Sequence, residues 1–515
     1  MRYPGWANVL RRVCGKFFTA LCTGSASCAL VISLAACGGY GSTPLASATR
    51  PNTNVDPSQS FTVVRMIQEG YATPICSPPP GGHVHCNGFV LTPLGRQTFL
   101  PKSKTQSALK RGTLFTMPPS GFGPSDFQSF YGLTSASATY GTGKTIGIVI
   151  SGATTTLEAD LIGYRSHFGL GSCTLANGCL KILDENGGSN LPIYGGWASE
   201  AALDVEMVSA ICPLCKMIVF ETATSAMSDM TTAVNSAAAM KVSSISLSWG
   251  VGETGMASYA SAFNHPGIPI VASAGNGNYS SIQEIPAAFS TVISVSGTSP
   301  NTGGPTRESS NWGTVGCSTI VAKPSWQHDS LCSTRTVADI AFDAQDIAHY
   351  TAGQWDIVGG TSSGPPAIAA ILAMAGSTAN DASGLYANAS QFYDVIDGYD
   401  GNTTNGNQAG SSCSPPPDDS TDGTLYSFSI VRQADASRKL MGSGPYPLAL
   451  CTGQVGYDAA TGNGTPNALC GFTPNCIPAG SASPSPAPSV CPAPSPTPVG
   501  QHVVEKPTGP GCGSS

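Results

Sequence analysis

The most ordered hydrophobic pattern in the chain begins at Lys144–Ser151 (KTIGIVIS), a continuous apolar run that predicts a strand buried on both faces. A helix is expected over Leu157–Phe168 and another near Ser199–Ile211. Then come a strand at Met217–Phe220, a helix over Met227–Met240, a strand over Val242–Ser248 and a helix over Met256–Asn264. Strands at Ile268–Ser273 and Thr291–Val295 follow. This alternation predicts an α/β domain with a doubly wound, mostly parallel sheet flanked by helices. In such sheets the site lies at the carboxyl ends of the strands. Further on, Ala367–Met374 (AIAAILAM) is apolar on every face, so its helix should be buried.

The flanking segments lack this pattern. Residues 1–37 read as a lipoprotein-type export signal: Arg2, Arg11, Arg12 and Lys16 give a basic start, and Phe17–Leu34 an apolar core. It ends Leu34-Ala35-Ala36-Cys37-Gly38, similar to a bacterial lipobox, in which the cysteine is lipidated; the alternative is a retained membrane anchor. Residues 38–121, rich in Pro, Ser, Thr and Gly, read as a linker or short pro-region. The globular domain is expected over 122–476, and 477–515 is a Pro/Ser-rich tail. Both terminal extensions are expected to be disordered.

Composition narrows the function. Only 10% of the 515 residues are charged and the net charge is -7, without a sizeable basic run, so nucleic acid is excluded as a partner. So few ionised groups suit work at low pH. Of 18 cysteines, four lie in the signal segment; the other fourteen include the close neighbours Cys76/Cys86, Cys173/Cys179 and Cys317/Cys332. That usage points to disulfides in an oxidising compartment. His83 and His85 beside Cys86 could suggest a metal, but in a Gly/Pro loop they read as exposed and idle.

Three features carry candidate chemistry. In Gly359-Gly360-Thr361-Ser362-Ser363-Gly364-Pro365-Pro366 the glycines permit a sharp turn, a serine sits at the tip, and two prolines open the helix. This could present a nucleophile, or be a Gly/Ser loop before a core helix. Glu200 and Asp204, four apart, share one helix face opposite an apolar stripe of Leu203, Met207, Ala210 and Ile211. Paired carboxylates cannot both ionise easily, so one could accept a serine proton; a solvated acidic face is the other reading. Asn276, just after the strand Ile268–Ser273, could donate to an oxyanion or simply form an Asn-Gly turn.

Taken together, these motifs resemble those of the sedolisins, serine-carboxyl peptidases with a subtilisin-like fold, from about Pro124 to Phe472. G-T-S-x-x-x-P is present as Gly360–Pro366, and E-x-x-L-D as Glu200–Asp204. Ser246-Leu247-Ser248-Trp249-Gly250 is similar to the substrate-binding strand, with Ser248, Trp249 and Gly250 as binding residues. Pro286-Ala287 and Val295–Thr298 match the segment after the oxyanion loop. The resemblance implies an endopeptidase acting on proteins or peptides through an acyl-enzyme in acidic to mildly acidic conditions. Ser362 would be the nucleophile, Glu200 the base, Asp204 its partner and Asn276 an oxyanion donor. It also implies calcium, held by Asp394 and Asp458 side chains and the carbonyls of Val395, Gln454 and Gly456; the family often has glycine where Gln454 stands.

Two departures stand out. Sedolisins carry an aspartic acid at the oxyanion position, where this chain has Asn276. An amide donates at any pH, an acid only when protonated, so the pH profile is expected to reach higher than is usual for the family. The large folded prodomain is also not recognisable. A subtilisin proper needs an Asp after the first strand and an H-G-T-H motif; the strand ends Ile150-Ser151-Gly152 and the histidine motif is missing. His167, His265, His328 and His349 read as structural or exposed, and Cys212-Pro213-Leu214-Cys215 as structural. The reading is of an exported monomer whose membrane contact is limited to the Cys37 lipid anchor. Its rival is a lipid-anchored surface or binding protein with a peptidase-like fold and little activity.

Overall fold

A strand covered on both faces can be apolar at every position, and the Lys144–Ser151 run meets that condition. All its residues from Ile146 onward are buried. The computed structural model describes residues 70–77, 79–94, 121–193, 195–277, 279–280, 282–300, 307–310, 312–398 and 448–473. The signal, lipobox and tail expectations (1–37 and 477–515) lie outside these residues.

The strands in chain order are β1 (Ala72–Pro74), β2 (His85–Cys86), β3 (Phe89–Leu91), β4 (Thr145–Ser151), β5 (Leu180–Asp184) and β6 (Lys216–Thr222). They continue as β7 (Ser244–Leu247), β8 (Trp249–Gly252), β9 (Ile270–Ser273), β10 (Glu284–Ile285), β11 (Ile293–Pro300) and β12 (Glu308–Ser310). The last are β13 (Gly316–Ala322), β14 (Thr334–Val337), β15 (Ile340–Asp343), β16 (Ile347–Thr351) and β17 (Gln354–Gly359). The α-helices are α1 (Pro124–Phe130), α2 (Thr134–Thr139), α3 (Leu157–His167), α4 (Ala198–Ile211), α5 (Met227–Ala239), α6 (Gly364–Ala375) and α7 (Ser383–Ala387).

The eight-stranded central sheet runs β12-β11-β9-β7-β4-β6-β5, with β15 also paired to β11. Every pairing in it is parallel except β11–β12. Helix α6 lies on β7 and β9 and packs against α4, so the two helices expected to carry the chemistry touch. The chain therefore has the α/β fold with a mostly parallel sheet flanked by helices that its pattern predicts. Among the described residues no helix is long and apolar enough to cross a membrane.

Two elements differ from the pattern-based expectation. Met256–Asn264 forms a 3₁₀ turn over Ala257–Phe263 in which only Phe263 is buried, too little packing to hold a full α-helix. Helix α4 is buried around its whole circumference from Glu200 to Ile211, carboxylates included, whereas the sequence suggested a polar face. In the stretch with little periodicity, β1 to β3 pair with the rest of the fold. β3 is antiparallel to both β1 and β17, and β2 is antiparallel to β8.

The three close cysteine pairs are disulfides, Cys76–Cys86, Cys173–Cys179 and Cys317–Cys332. Cys212–Cys215 closes the structural Cys-Pro-Leu-Cys turn.

Helix α6 begins with prolines in its first turn and ends at Gly376, whose φ of 67° is left-handed. Its length between is core. Ile371 is fully buried, so Ile371→Ala should lower the unfolding free energy by ~2–5 kcal/mol. Denaturant titration would show this as a lower midpoint at unchanged slope.

Candidate active site

The site forms where β17 turns into α6. Gly360 has φ 108°, and a Cβ there would meet the Asn87 carbonyl oxygen at 2.1 Å, so glycine alone fits. Thr361–Ser363 make a 3₁₀ turn that leads into the helix. Ser362 is fully buried, and its hydroxyl donates to the Ser248 carbonyl at 3.3 Å. Ser363 is turned away, donating to the carbonyls of Asp343 and Gly360. The geometry thus separates the two serines as the motif position did.

Helix α4 brings Glu200 and Asp204 to the same place, both fully buried. Burial pushes the Glu200 carboxyl well above its ordinary range. The neighbouring Asp204 adds to the rise, and the Ser362 hydroxyl and the Gly88 N–H oppose it. Burial also raises Asp204 well above its ordinary range, against the hydrogen bond from Ser248. Ser248 Oγ lies 2.6 Å from Asp204 Oδ1 and 3.0 Å from the Ser362 carbonyl oxygen. Both Glu200 oxygens and Asp204 Oδ2 are buried without a hydrogen bond of good geometry. Three acceptors left open in a dry site suit a pair that shares a proton.

Asn276 lies at the carboxyl end of β9. Its Oδ1 accepts the Thr361 N–H at 2.9 Å, which fixes which end of the amide faces the cleft. Its Nδ2 donates to the Asn87 carbonyl at 2.9 Å, and the Ser362 N–H donates to that same oxygen at 3.4 Å. Two donors, one from each expected element, thus converge on one carbonyl oxygen.

Trp249 and Gly250 sit on β8 and pair through their backbones with Cys86 and His85. The Trp249 side chain points into the core and donates to the Val149 carbonyl at 2.9 Å, so only its backbone lines the cleft.

Sequence reasoning missed several partners. Asn87 lies in a stretch with no periodic signal, yet its amide donates to Ser273 Oγ at 2.9 Å and to Glu284 Oε2 at 3.2 Å. Glu206, two residues beyond Asp204, is buried against His349 at 2.8 Å, with Ser199 on the other ring nitrogen at 2.9 Å. Burial raises the Glu206 carboxyl to about 7, against the pull of His349. A third acidic residue in an apolar helix was the available signal. His83 and His85 are not idle: His83 bonds Ser225 Oγ at 3.2 Å, and His85 lies 3.4 Å from Glu284. Cys76 and Cys86 lie close to Glu200, but their sulfurs are bonded to each other and offer no thiolate to a metal. Among the other histidines singled out, His265 bonds Asn235 and the Ala262 carbonyl, and His167 packs on Trp355.

Hydrogen bonds link several of the residues expected to hold calcium. Asp458 is fully buried and accepts N–H groups from Gln454 and Thr461, both at 2.8 Å. Asp394 accepts the Gly456 N–H at 2.9 Å. Burial raises the Asp458 carboxyl to about 8, and Asp394 adds to the rise. Val395 is buried beside Asp394. An all-oxygen set with a costly buried carboxylate fits a hard divalent cation.

Residues 193–396 match the model of the subtilase family. They contain Glu200, Asp204, Asn276 and Ser362. No curated protein sequence matches the chain. Among solved structures, the fold is similar to Pseudomonas sedolisin, a serine-carboxyl proteinase solved with two molecules of pseudo-iodotyrostatin. The two are 20% identical with a TM-score of 0.50, over 67% of this chain and 95% of that one. Sphericase is 18% identical over 53% of this chain and 91% of its own, with a TM-score of 0.38. The chain thus has a subtilisin-like fold, and its residues 193–396 match the subtilase family, which supports a serine-type peptidase.

Proposed function

We propose that this peptidase is of the serine-carboxyl type, cleaving protein or peptide substrates in acidic to mildly acidic conditions. The reading rests on one observation above the others: the buried Glu200–Asp204 pair, with oxygens open, stands at Ser362 where a subtilisin would need a histidine. Ser362 Oγ attacks the scissile carbonyl and Glu200 takes its proton. Asp204, held by Ser248, shares that proton and keeps Glu200 from holding a full charge in a dry site. Asn276 Nδ2 and the Ser362 N–H receive the oxyanion. Glu200 then returns the proton to the leaving amine, and water resolves the acyl-enzyme. Substrate takes the place of β2 beside β8, as a strand on the backbones of Ser248, Trp249 and Gly250. Export is supported by the disulfides, which need an oxidising compartment. The Cys37 lipid anchor stays part of the reading on sequence grounds alone.

Calcium belongs to the same reading. The side chains of Asp394 and Asp458 with the carbonyls of Val395, Gln454 and Gly456 would hold it, and the ion would tie the C-terminal loop to the domain.

Ser362→Ala and Glu200→Ala should each lower kcat/KM on a denatured protein by ~10⁴-fold or more. Activity persisting in both variants overturns the mechanism. Asn276→Asp should move the alkaline limb of kcat/KM to lower pH. An aspartic acid donates only while protonated, and once ionised it repels the oxyanion, at a cost of ~10²–10³-fold. An unmoved alkaline limb refutes the role given to the amide. Chelation should lower the melting temperature, by the equivalent of ~2.7 kcal/mol where free calcium had stood at about a hundred times its Kd. Asp458→Asn should abolish that calcium-dependent shift, and a shift that persists in the variant places the ion elsewhere.

A further inference from the structure

Helix α4 carries a second set of reactive side chains, on a face of its own away from Glu200 and Asp204. Ser199 stands in its first turn, and Glu206 lies seven residues on, close to two turns further along the same face. His349 of β16 lies between them. Its Nδ1 is 2.8 Å from Glu206 Oε2 and its Nε2 is 2.9 Å from Ser199 Oγ. With a carboxylate on Nδ1 the ring proton sits there, and Nε2 presents its lone pair to the hydroxyl. Hydroxyl, imidazole and carboxylate thus stand in the order in which a serine hydrolase uses them. Burial suits the roles: His349 and Glu206 are each 1% exposed, while Ser199 is only half-buried and is the member within reach of a ligand.

The surroundings complete the set. Glu206 Oε1 accepts the Tyr350 N–H at 3.0 Å, which fixes the carboxylate. From α3 it is faced by Asp160 and Tyr164, whereas Arg165 of that helix is spent on Ser209 and on the carbonyls of Gly171 and Pro213. Burial raises the Glu206 carboxyl to about 7 against the pull of His349, with Asp160 adding to the rise. At the start of α4 the Ala201 N–H donates to the Trp197 carbonyl at 2.9 Å. The N–H groups of Ala198, Ser199 and Glu200 precede that bond and have no acceptor within the helix. They and the positive end of the helix dipole stand beside Ser199, where an oxyanion would form. The same contacts limit what can bind. The edge of β16 turned from β17 has its Ala348 N–H on the Phe122 carbonyl at 3.0 Å and its Tyr350 N–H on Glu206. A peptide cannot add there as a strand without displacing Glu206, so a substrate is held by little more than its acyl group. With so little binding energy to draw on, an ester of an acidic alcohol can react and an amide cannot.

We propose that Ser199, His349 and Glu206 form a second hydrolytic centre, separate from Ser362, that takes small acyl esters with a good leaving group. It does not depend on the serine-carboxyl reading of the first. Ser199 Oγ bonds to the acyl carbon as its proton passes to His349 Nε2. The ester C–O bond breaks, and the leaving alcohol takes that proton. Water then attacks the acyl carbon, giving a proton to His349, and Ser199 Oγ leaves with it. The products are a carboxylic acid and an alcohol, with the protein unchanged. Glu206 is a positioning residue: it holds the ring in the required tautomer and steadies its charge without touching the substrate.

The test uses the full chain, p-nitrophenyl acetate as the probe and Ser362→Ala as the background, so that the peptidase nucleophile takes no part. Ester hydrolysis should persist in Ser362→Ala, and adding Ser199→Ala should lower kcat/KM by ~10²-fold or more. In acid-quenched wild-type chain, peptide mass spectrometry should find a transient acetyl group on Ser199. The rate should rise with pH through about 7, because below it the Glu206–His349 pair holds a proton that must be lost before the ring can accept one. Glu206→Gln should lower the rate by ~10²-fold or more and move that limb, which a purely structural pair would not do. Hydrolysis that vanishes with Ser362→Ala, that survives Ser199→Ala, or whose acetyl group maps to other residues alone overturns this inference and leaves the serine-carboxyl mechanism standing. If a substituted chain fails to fold, the acetyl mapping in the wild-type chain decides by itself.

Discussion

Two carboxyls sealed in an apolar interior cost several kcal/mol if both are charged and have no partner, and the site is arranged around that cost. Glu200 and Asp204 stand one turn apart on a helix that is buried throughout. The protein offers them one strong hydrogen bond, from Ser248, and leaves three oxygens open. In the proposed mechanism a shared proton resolves the conflict and is available to Ser362. The parallel sheet supplies the rigidity. β7 delivers Ser248, β9 delivers Asn276 and β17 delivers the nucleophile turn, while α6 packs on the first two strands and on α4. A small shift of any of these would place a buried charge against apolar side chains.

The sheet was legible because strands buried on both faces leave near-continuous apolar runs, as in β4, and because α6 is apolar all round. Glu200, Asp204, Asn276 and Ser362 were legible as motifs in a fixed order, and the fold brings them together. What could not be read was anything set by pairing between distant strands. Nothing in the composition around Asn87 distinguishes it from an Asn-Gly turn. Its place is fixed by β8 and β17, more than 150 residues away in sequence. β13 and the 3₁₀ turn at Ala257–Phe263 were missed for a related reason, since short, half-buried segments carry little periodicity.

Asn276 shows how a single side chain can serve two elements. One end of its amide is spent on the Thr361 N–H, one residue before the nucleophile, so the other end has no freedom to flip. The proposed donor and the turn that carries the proposed nucleophile are thereby tied together. Glu206 and His349 extend the same economy to the other side of α4, tying the helix to the β16–β17 hairpin through a buried pair rather than through packing alone.

Among the described residues, β17, which leads to the proposed nucleophile, pairs with β16 on one side and β3 on the other. Without β3 that side would be an open sheet edge, a row of unsatisfied N–H and C=O groups beside the proposed nucleophile. Such an edge recruits any extended chain, whether a peptide to be digested or a second copy of the protein, and the second outcome is aggregation. Keeping the three residues of β3 on that edge lets the molecule hold the turn after β17 in shape without leaving a template for self-association.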